Sequence, residues 1–340
     1  MSTTRPPAYQ RLAELLIGAR VAMALRVVAE HQIADHLATS PQTAEGLSSA
    51  TGIPASTLRR LMRGLADMGV FAETAEGRFT NTDVSAYMRT DATPSLREMI
   101  LILNDDALLQ GWQQLPAALQ SGALSFAAAN GMSFFQYIAA DPTRSATMGK
   151  FMAGIYGPEG PKIAAGYPFG RFTTLIDLGG GQGHILAEIL QQHPALQGVL
   201  FDLPPTADVA RQFLAGQGLS HRCEVVAGDF LQAVPRGYDA YLIKSVLHDW
   251  DDEQAVQILR QCRDAMPSHG RVLVIEIVVA PGKPMGHPHP MIDLEMLVTY
   301  GGKERTAQEF ATLCSRAGLT LEQVTPITGS FFSVVEATPV

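Results

Sequence analysis

Thr174-Leu175-Ile176-Asp177-Leu178-Gly179-Gly180-Gly181-Gln182-Gly183-His184 is the stretch that decides the fold. Five residues of short apolar strand run into a glycine-rich turn, and the segment from His184 to Gln192 continues as a helix that Pro194 ends. The same texture repeats downstream. Gly198 to Asp202 reads as a second strand, Cys223 to Val226 as a third, Tyr238 to Ile243 as a fourth and Arg271 to Val278 as a fifth. Helices are predicted at 206–215, 251–266 and 306–317, and a last strand lies within Ser330 to Ala337. Strands alternating with helices imply a parallel, doubly wound α/β sheet.

The turn has a chemical reading of its own. Glycines let the backbone bend sharply and approach a ligand closely, and the start of a helix presents free N–H groups. A dinucleotide fingerprint would carry a glycine three residues after Gly181, where this chain has His184. An acid, Asp177, standing just before a GxGxG turn instead suits a ligand with a cation near the loop and no pyrophosphate, and S-adenosylmethionine has such an ammonium group. Asp202 ends the next strand, about twenty residues on, where a carboxylate can accept both hydroxyls of a ribose. It could equally cap the helix that begins near Leu203-Pro204-Pro205, but its register after the glycine turn favours the ribose. Asp229 follows the third strand and can accept from an adenine amino group, with Phe230 covering the ring.

The fourth strand leads into Lys244-Ser245-Val246-Leu247-His248-Asp249-Trp250-Asp251-Asp252-Glu253-Gln254, in which Asp251 and Gln254 resemble a capping box. Of nine histidines, His248 alone lies just past a strand end on the expected ligand edge. His287 and His289 form a His-Pro-His with no partner cysteine or acid pattern, a weak case for a metal.

The first hundred residues read differently. Leu12, Leu15, Leu16, Ala19, Met23 and Val27 make an apolar stripe at helical spacing. Thr43 opens a short helix, Gly52-Ile53-Pro54 breaks the chain, Ser56 can cap the helix from Leu58 to Met68, and Val70 to Thr80 alternates as a hairpin about Glu76-Gly77. Helix, turn, helix, hairpin is the order of a winged helix, which raises DNA binding. Charge answers it: residues 1–100 hold ten arginines and ten acids. A neutral domain has little to offer phosphates, so packing or dimerisation is the stronger expectation. Residues 95–165 are expected to be helical and are dense in Met and aromatic groups, some of which could line an aromatic pocket.

The whole chain of 340 residues, 46% hydrophobic and 17% charged with a net charge of −8, can fill about two domains and excludes disorder as its main state. Three scattered cysteines argue against a disulfide framework, and no apolar run reaches the roughly 18 residues of a membrane span. A protein of the cytoplasm, without membrane or nucleic-acid partners, is expected.

Asp177 to Gly183, Gly228-Asp229-Phe230, Leu247-His248-Asp249-Trp250-Asp251-Asp252 and Gly301-Gly302-Lys303-Glu304-Arg305-Thr306 together resemble the class I S-adenosylmethionine-dependent small-molecule O-methyltransferases, of the plant caffeate-type and bacterial natural-product branch. The resemblance implies a Rossmann-like doubly wound methyltransferase domain behind a mostly helical, winged-helix-like dimerisation domain, divided into residues 1–100 and 101–340, with 101–170 helical and lining the acceptor pocket. It implies a homodimer that binds S-adenosylmethionine through Asp177, Gly179, Gly181, Asp202, Asp229, Phe230 and Lys244. It makes His248 the general base flanked by Glu276 and Glu304, and sets Asn104, Trp112, Met152, Asp293 and Met296 around the acceptor. The stretch Val298-Thr299-Tyr300 is a residue shorter than in the plant enzymes.

The chemistry is consistent with those roles. A phenol, with a pKa near 10, is a poor nucleophile at neutral pH, and a histidine oriented by a carboxylate can take its proton as attack proceeds. No metal is required. The expected acceptor is a phenolic hydroxyl on a flat, phenazine-like natural product. Methylation of a ring nitrogen and, from another class, a winged-helix regulator that senses the cofactor are the alternatives.

Overall fold

The computed structural model describes residues 7–122, 124–287, 289 and 291–340. The chain packs as two compact units, one made of residues up to Leu109 with Ile138–Ile155, the other of Gln110–Tyr137 with Tyr156–Val340. Residues 101–109 and 138–155 therefore pack with the N-terminal residues, whereas the sequence reading divides the chain after residue 100.

In the first unit, helices Gly18–Glu30, Ala44–Thr51 and Ala55–Asp67 and a two-stranded antiparallel hairpin, Phe71–Glu73 with Phe79–Asn81, enclose Val28, Ile33, Leu47, Leu58, Met62 and Phe79. Thr43 caps its helix by accepting the Gly46 N–H, and Gly52 ends it in the left-handed region at φ 75°. Ser56 does not cap the next helix, because the chain turns helical one residue after Pro54. Two arginines of helix Ala55–Asp67, the second helix of the winged-helix pattern, are engaged in ion pairs: Arg59 with Glu45 at 2.6 Å and Arg63 with Glu73 at 3.2 Å. Helix Pro7–Leu16 buries nothing in the single chain and shows Tyr9, Leu12, Leu15 and Leu16 to solvent.

The second unit is built on a seven-stranded sheet. Its strands are β1 (Thr174–Leu178), β2 (Gln197–Asp202), β3 (Cys223–Ala227), β4 (Ala240–Lys244), β5 (Arg271–Glu276), β6 (Leu319–Pro326) and β7 (Ser333–Pro339), in the order β6-β7-β5-β4-β1-β2-β3. β1 to β5 are parallel, and β7 and β6 add antiparallel at one edge. Successive residues point to opposite faces, so Leu175, Leu242 and Leu273 enter one apolar layer while Ile176, Ile243 and Val274 enter the other. Helices cover both faces, which is why these strands read as continuous apolar runs. The strand order reverses beside β1, and the open crevice at the carboxyl ends of β1 and β4 is where such sheets take ligands.

Three details depart from expectation. β6 went unrecognised because Thr320, Glu322 and Gln323 make it polar, as an edge strand tolerates. The fifth strand stops at Glu276, and Val278–Val279 instead pairs in parallel with Arg305–Thr306. Met296–Tyr300 forms a wide π-turn.

Candidate active site

Backbone geometry builds one half of the ligand edge. After β1, Gly179 and Gly181 take φ of 69° and 60°, where only glycine is unstrained. A Cβ on Gly179 would press within 2.9 Å of Val246 and 3.3 Å of the Phe230 ring, so the turn is packed as well as bent. Asp202, at the end of β2, pins the turn: one oxygen accepts the Gly181 N–H at 2.8 Å and the other the Leu203 N–H at 2.7 Å. Asp202 does not cap the following helix, whose N-cap is Leu203; with Thr206 also bonded to it, the roughly four acceptor sites of a carboxylate leave room for a ribose hydroxyl.

Asp177 lies under the turn, buried, with Oδ1 lacking a partner among the described residues. Burial pushes its carboxyl up to about 7, helped by the nearby Asp202 charge and opposed by Lys244. A buried acceptor without a donor, beside a second carboxylate, fits a ligand that brings an ammonium group. Lys244 ends β4 with its ammonium 3.3 Å from the centre of the Tyr156 ring, and burial lowers it to about 7. Asp229 accepts the Leu231 N–H at 2.9 Å and the Gln232 side chain at 3.1 Å, and the Phe230 ring meets Trp250 edge-on. These residues can hold S-adenosylmethionine.

Buried side chains build the other half. A single turn, Leu247–Asp249, follows β4 and carries His248, which is 6% exposed. Its Nδ1 is 2.8 Å from Glu304 Oε1, and a carboxylate there makes Nδ1 the donor, leaving Nε2 as the basic nitrogen of the neutral ring. Asp249 Oδ1 lies 3.6 Å from Nε2. Burial opposes charging this ring, but Asp249 and Glu304 outweigh it and lift His248 to about 9. Burial likewise raises the Asp249 carboxyl, to about 7.

Glu276 is not beside the ring in the manner of Glu304. Its Oε1 accepts the backbone N–H groups of Val246 at 3.2 Å and His248 at 3.1 Å, so it supports the loop from beneath. The geometry follows from its place at the end of β5, next to β4, where it meets the emerging backbone first.

The residues expected around the acceptor are divided between the two units. Asn104 and Met152 belong to the first unit, where the Asn104 side chain bonds back to the Ile100 carbonyl at 2.8 Å. Trp112, Asp293 and Met296 belong to the second. Trp112 donates to the buried Glu295 at 2.9 Å, Met296 is buried, and the exposed Asp293 accepts the Glu304 N–H at 2.8 Å. Sequence reasoning passed over Asp249, Glu295 and Arg305. It also left unassigned an aromatic wall in which Phe135 stacks on Trp250 at 6.2 Å and touches Tyr300 at 5.4 Å. The adjacency of Asp249 and Trp250 to His248 was the available signal for two of these.

Known proteins resemble this chain throughout its length. The O-methyltransferase domain family matches residues 112–320, and the O-methyltransferase dimerisation domain matches residues 13–91. A phenazine O-methyltransferase of Lysobacter antibioticus is 38% identical over 98% of this chain and 97% of its own. An 8-amino-8-demethylriboflavin N,N-dimethyltransferase of Streptomyces davaonensis is 33% identical over 97% and 95%. An O-methyltransferase from neocarzinostatin biosynthesis, solved with S-adenosylmethionine and 2-hydroxy-5-methyl naphthoic acid, superimposes with a TM-score of 0.85 at 35% identity, covering 94% of this chain and 96% of that one. Among the described residues no helix is long and apolar enough to cross a membrane. With the doubly wound sheet, the glycine turn and the histidine loop in place, these matches show that the chain belongs to the O-methyltransferase family and is an S-adenosylmethionine-dependent O-methyltransferase with a helical dimerisation domain.

Proposed function

We propose that the protein methylates a phenolic hydroxyl on a flat, phenazine-like aromatic acceptor, with His248 as general base. The observation that carries this reading is the His248–Glu304 pair: Nδ1 is tied to a buried carboxylate at 2.8 Å, which orients the ring and stabilises its cation. When bound, S-adenosylmethionine supplies a methyl group already activated by a sulfonium. Asp202, Asp177 and the glycine turn hold and align that group, with Asp229, Phe230 and Lys244 beside it. His248 Nε2 takes the hydroxyl proton as the oxygen attacks, and Glu304 stabilises the resulting imidazolium. A basicity lifted toward that of a phenol suits the transfer. Proximity of a sulfonium charge lowers it again, so that more of the ring is neutral at working pH. Phe135, Trp250 and Tyr300 offer flat faces to a polycycle, and Trp112 and Met296 of the same unit complete that acceptor side.

Residues 1–100 serve dimerisation in this reading and 101–340 catalysis. The exposed Leu12, Leu15 and Leu16 of the first helix suit a homodimer interface, and sedimentation is expected to give twice the chain mass. Three buried, unpaired thiols suit the cytoplasm. The N-dimethylating relative favours one second reading, methylation of an aromatic nitrogen. Incubation with S-adenosylmethionine and a panel of hydroxy-phenazines, hydroxy-naphthoates and aromatic amines, followed by mass spectrometry and NMR of products, separates the two. Methyl gain on oxygen is expected; gain on nitrogen alone would replace the first reading with the second.

A further inference from the structure

Arg305 is the largest fully buried side chain among the described residues. A buried guanidinium is costly unless its donors are filled, and here they are filled by the loop that carries His248. Nη1 donates to the Leu247 carbonyl at 2.8 Å, Nη2 to the Trp250 carbonyl at 2.8 Å, and Nε and Nη2 to Asp252 Oδ1 at 3.1 and 2.9 Å. Leu247 and Trp250 bracket His248 and Asp249. Two neighbours of Arg305 act on the same loop. Glu304 takes the ring, and Gly302 approaches so closely that a Cβ there would overlap the His248 carbonyl oxygen. Arg305 also pairs with Val278 in a two-residue parallel ladder, two residues after Glu276, whose carboxylate receives the loop's N–H groups. One arginine therefore ties together the segment bearing Glu304, the short strand just past β5 and both flanks of the histidine.

We propose that Arg305 is a positioning residue for proton removal: by holding the Leu247 and Trp250 carbonyls it sets the His248 ring against Glu304 and toward the acceptor hydroxyl. The proposal rests on the reading of His248 as base. Lysine keeps the charge but cannot replace the planar fork, which reaches three acceptors at once.

The experiment compares Arg305→Lys with wild type on two acceptors, one with an ordinary phenol and one whose hydroxyl is already ionised at the assay pH. Calorimetric binding of S-adenosylmethionine counts the folded sites. The expected result is a kcat loss of at least about tenfold on the ordinary phenol, about threefold or less on the ionised one, and unchanged cofactor affinity. Equal losses on both acceptors would mark a merely structural role and overturn the proposal. His248→Ala is run alongside. If it too fails to discriminate between the acceptors, the base assignment itself falls; if it discriminates and Arg305→Lys does not, only the positioning role falls. In the double variant the loss should equal that of His248→Ala alone, since residues acting through one step are not additive, and a multiplied loss overturns the proposal. Should Arg305→Lys not fold, Asp252→Asn loosens the same fork from its half-exposed end. The same discrimination between acceptors is then expected, and its absence counts against the proposal.

Discussion

The two halves of the ligand edge are made of different material. Around β1 to β3 the site is largely backbone: positive-φ glycines, a carboxylate pinning two N–H groups, and strand ends brought together by parallel pairing. Around β4 and β5 it is largely buried charge, with His248, Asp249, Glu276, Glu304 and Arg305 drawn from three separated segments. The first half can be damaged mainly in what it binds. The second is poised so that each charge sets the protonation of its neighbour, and damage there should appear in turnover and in its dependence on pH.

The largest effect expected is on the second half. His248→Ala should lower kcat by about 10²–10⁴-fold on an ordinary phenol while calorimetry finds S-adenosylmethionine binding unchanged, because the glycine turn and Asp202 are untouched. Turnover within threefold of wild type would remove the base from the mechanism. Cofactor binding that fell with it would erase the division between the halves.

Next is the pH profile. With His248 raised to about 9 in the free protein by Asp249 and Glu304 against the opposing effect of burial, the neutral, proton-accepting ring is scarce at low pH. The kcat/KM for the acceptor should therefore rise with pH, about tenfold per unit below the limb and level above it. Asp249→Asn removes the anion 3.6 Å from Nε2, so the imidazolium is less stabilised and the limb should move to lower pH. A limb that stays put or moves up would show that Asp249 does not govern the ring.

The same contrast explains what could be read from residue order. The half proposed to hold the cofactor is local: Asp177, Gly179 and Gly181 fall within a few residues of one another, and Asp202 and Asp229 follow at strand ends whose apolar runs announce them. His248, the proposed base, could be singled out for the same reason. The partition of labour among the buried acids was not, because Glu276 and Glu304 both precede or follow strand-like segments and only the three-dimensional register decides which meets the ring and which the backbone. Arg305 was invisible as a buried group, since an arginine in a polar hexapeptide ordinarily faces water. In the fold, β6 was hidden by its polar edge and the π-turn by having no compositional mark.

A test of the cofactor half should give a smaller effect on turnover and a larger one on affinity. Asp202→Ala is expected to weaken S-adenosylmethionine binding at least about tenfold, from the loss of charge-assisted bonds worth roughly 1.5–3 kcal/mol each. Asp202→Asn keeps an oxygen for one of the two N–H groups and separates loop support from ligand contact. At saturating cofactor, kcat should return close to wild type in both. Affinity that is unchanged in both variants would show that the carboxylate serves only the turn.

The smallest effect should come from Glu276→Gln, and it is the sharpest probe of how the two carboxylates differ. Glutamine retains an oxygen that can accept from both Val246 and His248, so the loop keeps its backbone support. What disappears is one negative charge near the imidazole, one of those that raise it, and the variant should lose only a few-fold in kcat with its pH limb displaced slightly downward. Glu304→Gln makes the contrasting change: Nδ1 loses the carboxylate that fixes its proton, and the loss should approach that of His248→Ala. Kinetics of both variants across pH decide it. If Glu276→Gln proves as damaging as Glu304→Gln, the acid under the loop does more than hold the backbone, and the two carboxylates share the ring's charge after all.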